Sequence, residues 1–99
     1  MNNVLTTEEN RLVKAMNVLG DPTRFAIYKM VCEGQNLCVS EMASALDVTP
    51  SAISQHFQNF ELLGLLSRER TGQKICYKVN SNELTNSLCS ILHEHKKER

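Results

Sequence analysis

The sequence is poor in the residues and segments that mark membrane, secreted and repetitive proteins. Its 99 residues include no tryptophan, two prolines and four glycines, and aromatic residues make up 5% of the chain. Apolar runs are only a few residues long, far short of the ~20 that a membrane-spanning helix requires. Residues 1–6 contain neither a basic nor an apolar segment, so no signal peptide is predicted. These absences predict a single globular domain over residues 1–99, in the cytoplasm and with no membrane partner.

The chain also lacks an excess of charge. Eleven basic and eleven acidic residues give a formal net charge of zero, which by itself disfavours a nucleic-acid-binding domain. The distribution is uneven, however, because residues 68–78 carry four cations against one acid, a local charge of +3. Those charged residues are Arg68, Glu69, Arg70, Lys74 and Lys78. A homodimer would present this basic segment twice.

No arrangement typical of an enzyme is found. The sequence has no Ser-His-Asp spacing, Gly-rich phosphate loop, paired carboxylates or Cys-x-x-Cys motif, so neither catalysis nor a bound cofactor is predicted. In a reducing cytoplasm, cysteines are expected as thiols, metal ligands or redox switches rather than as structural disulfides. The chain has four of them, Cys32, Cys38, Cys76 and Cys89.

Apolar periodicity and end signals predict a mainly α protein with a β-hairpin wing, in the order α-α-α-α-β-β-α. Gly20 and Gly34 end the first two helices, and the strands are Leu65–Arg70 and Ile75–Val79. Asn82 caps the last helix. The apolar stripe of the first helix is Leu12, Ala15, Met16 and Leu19, and that of the second is Phe25, Ile27, Tyr28, Val31 and Cys32. The last helix has the stripe Leu84, Leu88, Ile91, Leu92 and His95.

Residues 39–64 indicate a helix-turn-helix. A short helix over 40–46 and the turn Asp47-Val48-Thr49 precede a second helix, Pro50–Leu63, whose inner face is Ile53, Phe57 and Phe60. Its other face is small and polar, as expected of a helix that reads base edges in the major groove. An ordinary helical hairpin with a solvated face is the alternative, and the basic hairpin that follows favours DNA. The predicted DNA-binding residues are Thr49, Ser51, Ser54, Gln55, His56 and Gln58 of the helix, and Arg70, Gln73 and Lys74 of the wing. Whether His56 faces DNA or packs beside the helix is left open.

Three segments resemble the ArsR/SmtB family of bacterial metal- and redox-responsive repressors. They are Leu19–Arg24 before the second helix, Ser51–Phe57 followed by Leu63–Leu66, and Arg70–Tyr77 in the wing. The resemblance covers about residues 12–80. It implies a winged helix-turn-helix homodimer, built through the first and last helices, that binds a near-palindromic DNA operator and leaves it on sensing an inducer.

The two metal-binding motifs of this family are only partly present in the chain. The family's Glu-Leu-Cys-Val-Cys-Asp metal motif corresponds here to Asn36–Glu41, which keeps Cys38 but has Ser40 in place of the second thiol. On the last helix, the family's second metal site is matched incompletely, whether His93 or His95 (with Glu98) is used. Cys38, His93, His95 and Glu98 are therefore only weak metal candidates.

Some members of that family resemble a disulfide or polysulfide sensor that pairs the second helix with the last. Cys32 and Cys89 lie on those two helices. Cys32 is about one turn later, and Cys89 about two turns earlier, than the positions expected from the resemblance. The alternative is that both are plain core residues with no sensing role. Cys38 lies before the third helix and outside the apolar stripes, so it is also a sensor candidate with expected solvent access.

Two further functions compete with a repressor released by a thiol-reactive species or a soft metal. The chain could regulate DNA without sensing an inducer, or it could be a winged-helix module that binds other proteins. For the homodimer, the apolar excess of the first and last helices places Leu88 and Leu92 at or near the interface.

Overall fold

The computed structural model describes residues 4–34 and 38–96. Within these residues, five helices and one antiparallel hairpin occur in the predicted order, so the predicted architecture is confirmed. The elements are α1 (Thr7–Leu19), α2 (Pro22–Cys32), α3 (Val39–Leu46), α4 (Pro50–Leu62), β1 (Leu66–Thr71), β2 (Lys74–Val79) and α5 (Glu83–Glu94). No helix in these two stretches is long and apolar enough to cross a bilayer.

Side-chain caps define where most helices begin. The carboxylate of Asp21 accepts the backbone N–H of Arg24 at 3.0 Å, with Pro22 in the first turn of α2, as predicted. That same N–H, aided by the Arg24 charge, holds the pKa of Asp21 below its ordinary value. At the start of α5, Asn82 accepts the N–H of Thr85 at 2.9 Å, which confirms the predicted cap. Local sequence is therefore sufficient to fix these helix starts.

The core lies between the helices and one face of the hairpin. Its buried members are Ala15, Val18, Ile27, Tyr28, Val31, Met42, Ala43, Ile53, Phe57, Phe60, Leu65, Leu66, Tyr77 and Leu88. The rings of Tyr28 and Phe60 stack with centroids 5.7 Å apart, which joins α2 to α4. This packing fixes the second helix of the helix-turn-helix against the rest of the domain.

Several residues of the apolar stripes are not buried within the chain. Met16 is 61% exposed and Phe25 is 41% exposed, and Val18 takes the inward position on α1. On α5, Ile91 is 53% exposed and His95 is also exposed, whereas Leu88 packs in the core of its own protomer. The pattern identified helical faces correctly but did not separate the surface covered within the chain from the surface that remains open.

Candidate nucleic-acid interface

The helix-turn-helix consists of α3, a tight turn and α4. Asp47 adopts the left-handed conformation (φ 57°) at the end of α3, and the N–H of Val48 donates to the Ala43 carbonyl at 3.0 Å. The Thr49 hydroxyl then accepts the N–H of Ala52 at 3.1 Å, with Pro50 in the first turn of α4. The predicted turn and cap are thus confirmed, and α4 ends one residue before the predicted Leu63.

The polar face of α4 is open. Ile53, Phe57 and Phe60 face the core, as their spacing predicted. All but one of the predicted DNA-facing side chains at α4 are exposed, namely Thr49, Ser51, Ser54, Gln55 and Gln58. A row of hydroxyl and amide groups on one exposed helix face is suited to hydrogen bonding with base edges.

The wing tip lies beside the start of α4. Thr71 pairs with Lys74 at the end of the hairpin, and Gly72 between them has a φ of 65°, which glycine adopts without strain. The side chains of Arg70, Gln73 and Lys74 are exposed, as predicted. Residues of the wing and of α4 line one shared cleft, among them Gln73, Lys74, Pro50 and Ser54. The two elements predicted to contact DNA are therefore adjacent.

Aromatic packing sets the position of the wing. Tyr77 of β2 stacks on Phe57 of α4 with ring centroids 4.3 Å apart, and the Arg68 guanidinium lies 5.2 Å from the Phe57 centroid. Burial raises the pKa of Tyr77, and a side-chain hydrogen bond to Ser54 partly opposes that rise. Ser54 is thus engaged with the wing as well as exposed on α4. This role of Arg68 and Ser54 was not predicted from the sequence, because the contacts depend on how the hairpin folds back.

His56 is half-buried and packs beside the helix. Its Nδ1 atom lies 3.5 Å from Nη1 of Arg24, and Nε of Arg24 donates to the Val18 carbonyl at 2.7 Å. Arg24 thereby links the end of α1, the start of α2 and the middle of α4. Arg24 therefore has a positioning role for α4, and whether His56 also contacts DNA stays a prediction.

The carboxyl end of α4 is joined to both terminal helices. Nη2 of Arg11 on α1 donates to the Leu63 carbonyl at 3.2 Å. The next carbonyl, that of Gly64, accepts from Nδ2 of Asn80 at 2.8 Å and Nδ2 of Asn82 at 3.2 Å. Two consecutive carbonyls therefore connect α4 to α1, to the end of the wing and to the start of α5.

Cys32 and Cys89 form a disulfide between α2 and α5. Their Cα atoms are 5.6 Å apart, within the usual range for such bonds. Beside them Glu33 pairs with Lys29 at 3.1 Å and with Lys96 at 3.2 Å, and these lysines hold the pKa of Glu33 below its ordinary value. The two sensor candidates are thus brought together, in a recess that His93 also lines.

Cys38 forms a second disulfide, with Cys76 of the wing. Cys38 is 7% exposed, so the expectation of solvent access at this thiol is wrong. Its backbone forms an antiparallel bridge with Cys76, which buries it under the hairpin. No role was predicted for Cys76 from the sequence, because the partners are 38 positions apart. The expectation that the cysteines are not in structural disulfides also differs from the structure, in which none of the four is free.

The described residues do not form a site for a resident metal ion. Within residues 4–34 and 38–96 no group of three or more His, Cys, Asp or Glu could hold one. Of the weak candidates, Cys38 lies under the wing, whereas His93 and His95 lie at the end of α5. Glu98 lies outside the described residues.

Comparison with known proteins agrees with this geometry. Residues 21–68, which contain the whole helix-turn-helix, match the family model described as "Bacterial regulatory protein, arsR family". The chain belongs to the ArsR family. The chain is 32% identical over 69 residues to the HTH-type transcriptional repressor SmtB of Mycobacterium tuberculosis. That alignment covers 70% of the chain and 50% of the repressor, so the chain spans half the length of this relative.

Two solved structures share the fold of this chain. HlyU from Vibrio cholerae superposes with a TM-score of 0.80 at 23% identity, covering 93% of this chain and 98% of that one. A homodimeric winged helix-turn-helix DNA-binding domain from Mycobacterium bovis gives 0.70 at 15% identity, covering 99% and 100%. The winged helix predicted from the sequence is therefore confirmed.

Proposed function

We propose that this ArsR-family chain is a transcriptional repressor that binds double-stranded DNA as a homodimer. The observation that carries the proposal is the shared cleft between the start of α4 and the wing tip, which Ser54 lines from one side and Gln73 and Lys74 from the other. In this arrangement α4 enters the major groove with Ser54 and Gln55 at base edges. Arg70 and Lys74 then lie against the backbone.

The proposed dimer forms through α1 and α5, which lie side by side and share a groove. Val13 and Met16 on α1 are 51% and 61% exposed, and Ile91 on α5 is 53% exposed. Three large apolar side chains open to water on two adjacent helices favour a second copy of the chain as their cover. Because Leu88 is buried within the protomer, Ile91 replaces it in the proposed interface, with the half-buried Leu92 at its edge.

A twofold dimer presents two copies of α4, so the proposed operator is a near-palindrome with half-sites roughly 34 Å apart. Binding from a randomised duplex library, followed by a titration on the selected sequence, tests this. The expected result is an inverted repeat whose affinity falls steeply with salt. Failure to retain any duplex would refute the proposal and favour a protein-interaction module. A function on chromosomal DNA also implies a cytoplasmic location.

We further propose that a thiol-reactive species releases the operator through Cys32 and Cys89. Oxidation removes two protons and two electrons from the thiols and joins them, with a peroxide or polysulfide as the oxidant. The bond ties α2 to α5, and a shift of α5 changes the spacing of the two α4 helices in the dimer. The carbonyls of Leu63 and Gly64 support this route, because they connect α4 to both terminal helices.

The switch is tested in a Cys38→Ser, Cys76→Ser variant, which keeps only the α2–α5 pair. Reduced protein is expected to bind the selected operator and protein treated with peroxide or polysulfide to lose it. A Cys32→Ser, Cys89→Ser variant lacks the α2–α5 bond and should not be released by either agent. If the Cys38→Ser, Cys76→Ser variant binds the operator with equal affinity before and after every treatment, the proposed switch is refuted. The protein is then a repressor that senses no thiol-reactive inducer. If only a soft thiophilic metal releases the operator, oxidation is not the signal, and metal binding at the same two thiols takes its place.

A further inference from the structure

The Cys38–Cys76 pair lies where the wing meets the helix-turn-helix. Cys76 pairs with Glu69 of β1 and also forms the bridge with Cys38, so β2 has a partner along each edge. The Cα atoms of the two cysteines are 3.9 Å apart. This is shorter than the roughly 4.4–6.8 Å usual for disulfides, so the two residues already lie directly beside each other across the bridge.

One carboxylate reinforces the same contact. Oε1 of Glu41 accepts the N–H of Cys38 at 2.8 Å, and Oε2 of Glu41 pairs with Nζ of Lys74 at 3.8 Å. The ion pair is exposed, with 61% of the Lys74 side chain and 43% of the Glu41 side chain open to solvent. It therefore contributes little to the stability of the contact between the wing and α3. A covalent bond between Cys38 and Cys76 is therefore the strongest of these links between α3 and β2.

We propose that Cys38 and Cys76 form a peroxide-oxidisable dithiol that fixes the wing to the start of α3 and tightens DNA binding. The last part rests on the proposed DNA-binding function. Cys38 lines the same cleft as Ser54 of α4 and Gln73 of the wing tip, so a bond at Cys38 acts directly beneath the DNA-contacting surface. The site is independent of Cys32 and Cys89, which lie on α2 and α5.

The chemistry proceeds in two steps. Both cysteines line one recess, but Cys76 is half-buried whereas Cys38 is 7% exposed, so the more exposed Cys76 meets the oxidant first. Its thiol reacts with hydrogen peroxide to give a sulfenic acid and one water. The Cys38 thiol then attacks that sulfur, the S–S bond forms and a second water leaves, so two thiols are oxidised and one peroxide is reduced.

The oxidised wing is held where Gln73 and Lys74 face the start of α4. After reduction, the backbone bridge, the weak ion pair and the Phe57–Tyr77 stack remain, so the wing is held less tightly and loses more conformational freedom when DNA binds. Since that loss opposes association, the oxidised form is expected to bind about three- to tenfold more tightly. This direction is opposite to the release proposed for Cys32 and Cys89, so the two effects can be separated.

The test uses the full chain with Cys32→Ser and Cys89→Ser, in which only the wing pair can form. After peroxide treatment and trypsin cleavage, mass spectrometry should find peptide 30–68 joined to peptide 75–78, and a reductant should separate them. The wild type cannot give this assignment, because peptide 30–68 contains both Cys32 and Cys38. Hydrogen exchange should show slower exchange of β2 amides in the oxidised protein.

Affinity for the selected operator is then compared in the oxidised and reduced states of the same variant. A variant with all four cysteines replaced by serine is the control and should not respond to peroxide. Absence of the cross-link, or a cross-link that leaves affinity unchanged, would overturn the inference. If the variant binds no DNA in either state, the DNA-binding function fails, while the cross-link and the exchange of β2 still decide whether the wing dithiol exists.

Discussion

Replacing Tyr28 with phenylalanine is expected to stabilise the protein. The Tyr28 hydroxyl is buried and has no hydrogen-bond partner within the described part of the chain. Burying a hydroxyl without a partner costs about 1–3 kcal/mol. Phenylalanine keeps the ring stacked on Phe60 and leaves a gap smaller than a methyl group, which costs less than about 1 kcal/mol. The free energy of unfolding should therefore rise by about 1 kcal/mol.

The same burial makes this gain depend on pH. Desolvation raises the pKa of Tyr28 from 10.0 to about 12. Below pH 10 the hydroxyl is neutral in both the folded and the unfolded chain, so it adds no pH dependence. As the pH rises above 10, the unfolded chain loses this proton while the folded chain keeps it, which favours unfolding by up to about 1.4 kcal/mol per pH unit. The advantage of the phenylalanine variant should grow to about 2 kcal/mol near pH 11.

Urea unfolding followed by far-ultraviolet circular dichroism measures this difference, with disulfides intact and both proteins at equal concentration. The melting temperature should rise by about 4–8 °C for each kcal/mol gained. Tyr77→Phe is the matched control, because the Tyr77 hydroxyl bonds to Ser54 and its loss should destabilise the protein by about 0.5–1.5 kcal/mol. Destabilisation by Tyr28→Phe, or a difference from wild type that does not change between about pH 8 and about pH 11, would refute the reasoning.

Three predictions concern DNA binding and assembly. Gln55→Ala should weaken operator binding by about 1–3 kcal/mol and relax preference at one base position, whereas an equal loss on random duplex would exclude base recognition. Lys74→Ala should weaken all duplexes alike and lower the salt slope by roughly one, because a single cation no longer neutralises a phosphate. Lys29→Ala, the same loss of charge at the α2–α5 contact, should leave that slope unchanged. Met16→Glu should shift the protein towards an 11.2 kDa monomer in sedimentation without changing its circular dichroism, and a dimer of unchanged stability would argue against the α1 interface.

Local signals predicted most of the fold. Thr49 with Pro50 and Asp21 with Pro22 mark helix starts through contacts within one turn, so they can be read from neighbouring residues. The exposure of Met16 could not be predicted in this way. Helical spacing shows that a residue lies on an apolar face, but it does not show whether the same chain or a second copy covers that face.

The candidate site was predicted where it depends on one helix and one hairpin. The polar face of α4 and the wing tip follow directly from periodicity and from the turn at Gly72. The contacts that position them join distant segments, as in the Arg24–His56 contact over 32 positions and the Cys38–Cys76 pair over 38. Such contacts depend on how elements pack, and a single sequence carries no local signal for them.

The two carbonyls at the end of α4 have a mechanical consequence. Leu63 accepts from Arg11 of α1, and Gly64 accepts from Asn82 at the start of α5, so adjacent peptide groups are anchored to separate helices. A displacement between α1 and α5 must lengthen one of these bonds or rotate the backbone between them. Because Gly64 has a φ of 70° and no side chain to resist rotation, this short segment can act as a pivot. Helix α4 would then rotate about its carboxyl end, and the largest movement would occur at its first turn, where Ser51 lies.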